Sequence, residues 1–159
     1  MELQLGQILA LLGAALAVIL SGIGSSRGVG LAGETAAGVA TENPETAGKL
    51  LVLQLLPATQ GIYGFLIGVI VLINTGVLGG KMIDLSDLQG FKFLVACLPV
   101  GVVGLYSAIQ QAKVSAAGML MTGQRPDMSG RGITMAVMVE TYAVFALLIS
   151  FLMVNSVLG

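Results

Sequence analysis

Charged side chains divide this chain into long silent stretches. None lies in residues 3–26, 50–80 or 93–112, and residues 132–159 hold a single one, Glu140. These windows run 24, 31, 20 and 28 residues, whereas about 20 apolar residues let a helix cross the hydrocarbon of a bilayer. The pattern predicts four transmembrane helices. In lipid the backbone must satisfy its own hydrogen bonds, which leaves helices or closed barrels, and runs so long and so rich in Leu, Ala and Val exceed the roughly ten-residue strands of a barrel. The expected fold class is an all-α membrane protein.

Composition agrees. Over 159 residues, 56% are hydrophobic and 9% charged, and the mean hydropathy is +0.98; a soluble domain carries charge at about 25% of its positions. The first window has no Lys or Arg ahead of its apolar core, and its first positive charge is Arg27, after the span. It is therefore expected to be a retained span and not a cleaved leader. Positive charge also orients the spans. Arg27, Lys49, Lys113, Arg125 and Arg131 flank the loops after spans one and three, while Lys81 and Lys92 in the middle loop are balanced by Asp84 and Asp87. Both termini are expected outside, with the two basic hairpin tips in the cytoplasm. The single Cys97 excludes an intrachain disulfide, and no nucleic-acid partner is expected.

The tips themselves repeat. "NPETAGK" (Asn43 to Lys49) and "RPDMSGR" (Arg125 to Arg131) match at a spacing of 82 residues, and "GVGLAG" (Gly28 to Gly33) pairs with "KVSAAG" (Lys113 to Gly118) at 85. The chain reads as two copies of one helical hairpin, residues 1–80 and 81–159, with Pro and Gly punctuating each turn. At the spacing of 82, Glu140 aligns with Ala58. The acid is in one copy only, which suggests one functional site per two hairpins. The odd spans are dense in small residues, such as Gly13, Ala17 and Gly24 in the first and Gly101, Gly104 and Ala108 in the third. Small residues at such spacing let helix backbones approach closely in lipid, and bulkier even spans suit a curved assembly with a tight inner layer.

A carboxylate at mid-span costs about 2.5–3.5 kcal/mol on insertion scales, and such residues face protein partners and mark ion pathways. Neutralising it takes a proton or a cation. In "LQLLPATQGIYG" (Leu53 to Gly64), Leu56, Thr59, Gln60 and Tyr63 fall at i, i+3, i+4 and i+7, one face of a helix. Thr59 offers a hydroxyl, Gln60 an amide oxygen, and Tyr63 a phenol that can donate to a carboxylate. Pro57 gives no N–H to Leu53 and crowds that carbonyl, which loosens the ladder and can free main-chain oxygens. The third span adds Gln110 and Gln111, which point about 100° apart, so only one is expected to enter the site. Spacing leaves open which. One acid with neutral oxygens suits a monovalent hard cation better than Ca²⁺ or Mg²⁺; the plainer alternative is a protonated Glu140 bonded to Tyr63 with glutamines bridging helices. "GVGLAG" also fits a dinucleotide-binding pattern, but no strand precedes it, and close helix packing explains it. Without His and with one Cys, transition-metal clusters and nucleophilic triads lack their residues. Glu34, Glu42, Glu45 and Asp127 near the tips are expected to be solvated.

The duplicated hairpin, the lone Glu140 in "VMVETYA" and the "LQLLPATQGIYG" stretch together resemble the proteolipid (K, or c) subunit of rotary V-type ATPases, above all the bacterial sodium-pumping form. The resemblance covers nearly the whole chain. It implies a ring of about ten copies in a cell membrane, turned by an ATP-hydrolysing head through a central-stalk subunit and sliding past a membrane stator subunit that bears an Arg. The chain would have no catalytic site of its own. It also implies a Na+ site made of the Leu56 main-chain carbonyl, the side chains of Thr59 and Gln60, a glutamine of the third span and the Glu140 carboxylate, with Tyr63 bonding to that carboxylate. Lys113 anchors the match in the third span and selects Gln111. Two positions depart from the family pattern: Ala58 stands where Gly is expected, and a double glutamine replaces a single one. The alternatives are a proton-translocating ring of the same family, for which Thr59, Gln60 and Gln111 would be surplus, and a structural or pore-forming four-helix oligomer.

Overall fold

The first span forms one unbroken helix, α1 (Leu5–Glu42), and the third forms another, α4 (Asp87–Gln124), each of 38 residues. At 1.5 Å per residue each is about 57 Å long, nearly twice the ~30 Å hydrocarbon thickness. Both therefore outrun their uncharged windows, and Arg27, Glu34 and Lys113 are exposed on helical extensions. The computed structural model describes residues 4–158.

The second span is broken. It comprises α2 (Ala47–Leu55), a single 3₁₀ turn over Leu56–Ala58, and α3 (Thr59–Asn74). Pro57 is the cause, since its ring excludes the carbonyl one turn back and it has no N–H to give. The fourth span is α5 (Ser129–Asn155). Pro44 and Pro126 each open a 3₁₀ turn at a hairpin tip. At the start of α4, Ser86 accepts from the Gln89 N–H at 3.3 Å while the Gln89 side chain accepts from the Ser86 N–H at 3.0 Å, a reciprocal cap. In the connection between the hairpins, Gly76 and Gly80 adopt φ of 78° and 77°, a region that side chains with a Cβ resist.

Helices α1 and α4 run parallel, as the first helices of repeated hairpins should, and they pack backbone to backbone. A Cβ on Gly13 would lie 2.7 Å from Leu94 Cα, and one on Gly24 would lie 2.6 Å from Leu105 Cα. Further along, one on Gly28 would meet the Ala108 carbonyl at 2.8 Å. The registers differ by close to the repeat spacing, so the duplication is visible as a packing symmetry. Span two packs on α1 and α4, and α5 on α4. Helix α5 leaves Met138, Tyr142, Phe145 and Leu152 exposed, as a lipid-facing surface requires.

Four hydrogen bonds tie the two hairpins at their ends. The Gln4 amide donates to Asp84 Oδ1 at 3.2 Å and that of Gln7 to the Ile83 carbonyl at 3.0 Å. At the tips, Asn43 donates to the Gly123 carbonyl at 3.1 Å and Lys49 Nζ to that of Pro126 at 2.9 Å. Between these ends lie two apolar clusters, one around Ala17, Ile67, Phe93 and Val100 and one around Ala32, Leu53, Met119 and Ala136. A belt of polar side chains separates them.

Candidate ion-binding site

The belt starts at the Pro57 turn. Both the main-chain N–H and the Oγ1 of Thr59 donate to the Leu56 carbonyl, the latter at 2.9 Å. One turn on, Ser25 Oγ on α1 accepts the Gly61 N–H at 2.7 Å. The break thus turns Leu56, Thr59 and Gln60 toward the centre of the chain and is pinned there by a neighbouring helix.

Gln60 and Gln111 are both fully buried, at 0% exposure, and they face one another: Gln60 Nε2 donates to Gln111 Oε1 at 2.7 Å. The oxygen of Gln60 lies 3.4 Å from the Thr59 hydroxyl. Gln111 Nε2 donates to the Ala136 carbonyl at 3.1 Å and to Glu140 Oε2 at 3.3 Å. The other carboxylate oxygen, Oε1, accepts from the Tyr63 hydroxyl at 2.6 Å, a short contact of the charge-assisted kind. Leu56, Thr59, Gln60, Gln111, Glu140 and Tyr63 are therefore one connected network spanning three of the four transmembrane segments. Gln110 is exposed and stands outside it.

Glu140 differs from every other described charge. It is half-buried, whereas the rest are exposed. Among the described residues the only ion pair is Arg125 with Asp127 at 3.7 Å, on the surface. No basic side chain among the described residues pairs with Glu140, and the side chains bonded to its carboxyl oxygens are neutral. Nor does any group of three or more His, Cys, Asp or Glu occur among the described residues. What the network offers a guest is one acid and several neutral oxygens, a hard donor set.

Three participants are silent in the sequence. The Ala136 carbonyl and Ser107 touch the network and Ser25 holds the backbone beside it at Gly61; Ser107 accepts from Gln60 Nε2 at 3.4 Å and donates to the Val139 carbonyl at 3.3 Å. The only hint for Ser107 is its place one turn before Gln111 on the same helix face.

Comparison with known proteins places this architecture. The ATP synthase C-subunit family matches the chain twice, over residues 12–71 and 94–153, once per hairpin and at the spacing of the tip motifs. The V-type sodium ATPase subunit K of Enterococcus hirae is 48% identical over 149 residues, covering 94% of this chain and 92% of that protein. The A-type ATP synthase subunit K of Methanocaldococcus jannaschii is 35% identical over 150 residues, 94% of this chain and 63% of that one. The V-type proton ATPase 16 kDa proteolipid subunit of Chrysotila carterae is 25% identical over 146 residues, 91% and 88% of the two chains. With four apolar helices in two repeated hairpins, both matched by one family, the chain belongs to the ATP synthase C-subunit family as a duplicated proteolipid.

Proposed function

We propose that this chain is the ion-carrying subunit of a rotary V-type ATPase, that copies of it form the rotor ring, and that each copy carries one sodium ion at Glu140. The observation that carries the reading is the lone mid-span carboxylate, without a basic partner among the described residues, joined to a network of neutral oxygens. The relative named as a sodium ATPase subunit, similar over nearly the full length of both chains, supports the choice of cargo. In this reading the Leu56 carbonyl, Thr59, Gln60, Gln111 and Glu140 supply the ligands. Tyr63 holds the carboxylate in place, and Pro57 presents the Leu56 turn.

The mechanism is electrostatic. A bare carboxylate cannot enter the lipid-facing part of a ring cheaply, but one neutralised by a bound cation can. An ion taken up beside a membrane stator subunit lets that copy turn into the lipid. Returning empty, the carboxylate meets a stator Arg, which prevents the ion from slipping straight across. A central-stalk subunit and an ATP-hydrolysing head supply the torque. The loop charges support placing the hairpin tips in the cytoplasm and both termini outside, in a bacterial cell membrane.

A proton ring is the second reading. It rests on one feature: Tyr63 and Gln111 already donate to the two carboxylate oxygens, so the site is hydrogen-bonded without any cation and a proton alone could neutralise the carboxylate. Carbodiimide labelling of Glu140 separates the two. With sodium as cargo, millimolar sodium at neutral pH protects Glu140 and the Glu140→Gln variant takes up no ²²Na in reconstituted vesicles. Labelling indifferent to sodium would refute that and favour protons.

A further inference from the structure

We propose that Ser107 is a positioning residue for the cation site, fixing which end of the Gln60 amide faces the ion. The inference rests on the sodium reading above.

A glutamine amide is ambiguous by itself. Its oxygen can ligate a cation, whereas its NH₂ repels one, and the two ends differ little in shape, so a buried glutamine serves as a ligand only if its surroundings forbid the flip. Gln60 is fully buried and cannot draw that information from water. Its NH₂ end has two neighbours, Gln111 Oε1 at 2.7 Å and Ser107 Oγ at 3.4 Å.

Gln111 is itself an amide, so it orients Gln60 only as firmly as its own NH₂ end is held. Its own NH₂ is held by the Ala136 carbonyl, a fixed acceptor, and by Glu140. Ser107 adds the second fixed reference. A hydroxyl can donate or accept, but this one donates its only proton to the Val139 main-chain carbonyl at 3.3 Å. A carbonyl cannot donate in return, so Ser107 has nothing but lone pairs to offer Gln60. That favours the NH₂ end toward Ser107, with Gln60 Oε1 on the side of Thr59 and the Leu56 carbonyl. Main-chain carbonyls of α5, at Ala136 and Val139, thereby dictate the polarity of both amides. Both precede Glu140 on its own helix, within one turn, so the acid and the oxygens that serve it are referenced to one element.

The two Ser107 contacts are long, which bounds the effect. A net contribution in the lower half of the range for one hydrogen bond corresponds to roughly a two- to fivefold change in affinity. Space for a test exists, because Ser107 also lines a groove of about 400 Å³ with Val103, Tyr106 and Val139 that can take one methyl group.

The experiment uses the full-length chain in its native membranes, with carbodiimide labelling of Glu140 read against sodium chloride. Ser107→Thr keeps the hydroxyl and is expected to match the parent. Ser107→Ala and Ser107→Val, the latter nearly isosteric with Thr, are expected to need roughly two- to fivefold more sodium for half-protection. In a Gln60→Ala background, loss of the Ser107 hydroxyl should change nothing further, a non-additivity that a merely structural role would not produce. Protection of the Val variant at the parent's sodium concentration, equal weakening by Thr and Val, or full additivity with Gln60→Ala would overturn the inference. If the parent itself ignores sodium, the cargo assignment falls and this inference falls with it.

Discussion

Truncating Gln60 to alanine tests the candidate site most directly. The side chain is fully buried, so the substitution cannot act by changing the lipid-facing surface. It removes one of the oxygens offered to a cation and takes the N–H away from Gln111 Oε1, now 2.7 Å distant. The void left behind weakens the ion-loaded and ion-free forms alike and cancels from the affinity to first order. What does not cancel is the contact between a neutral dipole and a charge. Taking a hydrogen bond to a charged group as its measure, that contact contributes about 1.5–3 kcal/mol, or roughly a ten- to 150-fold rise in the dissociation constant. The assay is protection of Glu140 from carbodiimide across a sodium series, with labelling at zero sodium as the control for an intact site. Half-protection at an unaltered sodium concentration would remove Gln60 from the ligand set and refute the reasoning that a buried, network-bonded amide serves the ion.

Two further outcomes follow from geometry. Gln111→Ala is expected to lose sodium protection by at least as much as Gln60→Ala, whereas Gln110→Ala, at an exposed position outside the network, should keep the parent's titration; the same labelling assay decides. Gly24→Ala places a Cβ 2.6 Å from Leu105 Cα and is expected to destabilise the chain by about 1–3 kcal/mol through overpacking. Gly22→Ala meets nothing within 4 Å and should be neutral or slightly stabilising as a helical Gly→Ala change. Thermal unfolding of the detergent-solubilised assemblies compares the two.

The spans and their duplication are legible because lipid tolerates few charges: the windows before Arg27, between Lys49 and Lys81, between Lys92 and Lys113 and after Arg131, the last broken only by Glu140, mark four helices without any propensity argument. Helix ends are not legible in the same way. Charges such as Glu34 and Lys113 are excluded from hydrocarbon but welcome on a helix that continues into water, so α1 and α4 extend well past their windows. In the candidate site, helical periodicity suffices to gather Leu56, Thr59, Gln60 and Tyr63 onto one face, and the structure joins them to Glu140. Periodicity cannot separate Gln110 from Gln111, because the choice depends on which side of α4 meets span two, a tertiary fact. Ser25 and Ser107 stay hidden for another reason. A short hydroxyl in a helix full of Gly and Ala reads as a packing residue, and its bonds go to a main-chain N–H and a main-chain carbonyl that no side-chain pattern announces.

The interlocking of α1 with α4 limits how any guest can come and go. With Gly13, Gly24 and Gly28 each pressed against the opposite backbone, neither helix can slip or roll by a residue without driving main chain into main chain. The cross-hairpin ties at both ends oppose splaying. Loading and emptying then fall to rotations about a few side-chain bonds, chiefly those of Glu140 and Tyr63, which are only half-buried. Exposed side chains make such rotations in picoseconds to nanoseconds; here the Tyr63–Glu140 hydrogen bond must break first. If the chain carries an ion as proposed, it does so as a rigid carriage with a latch of two side chains, and its frame need not deform at each exchange.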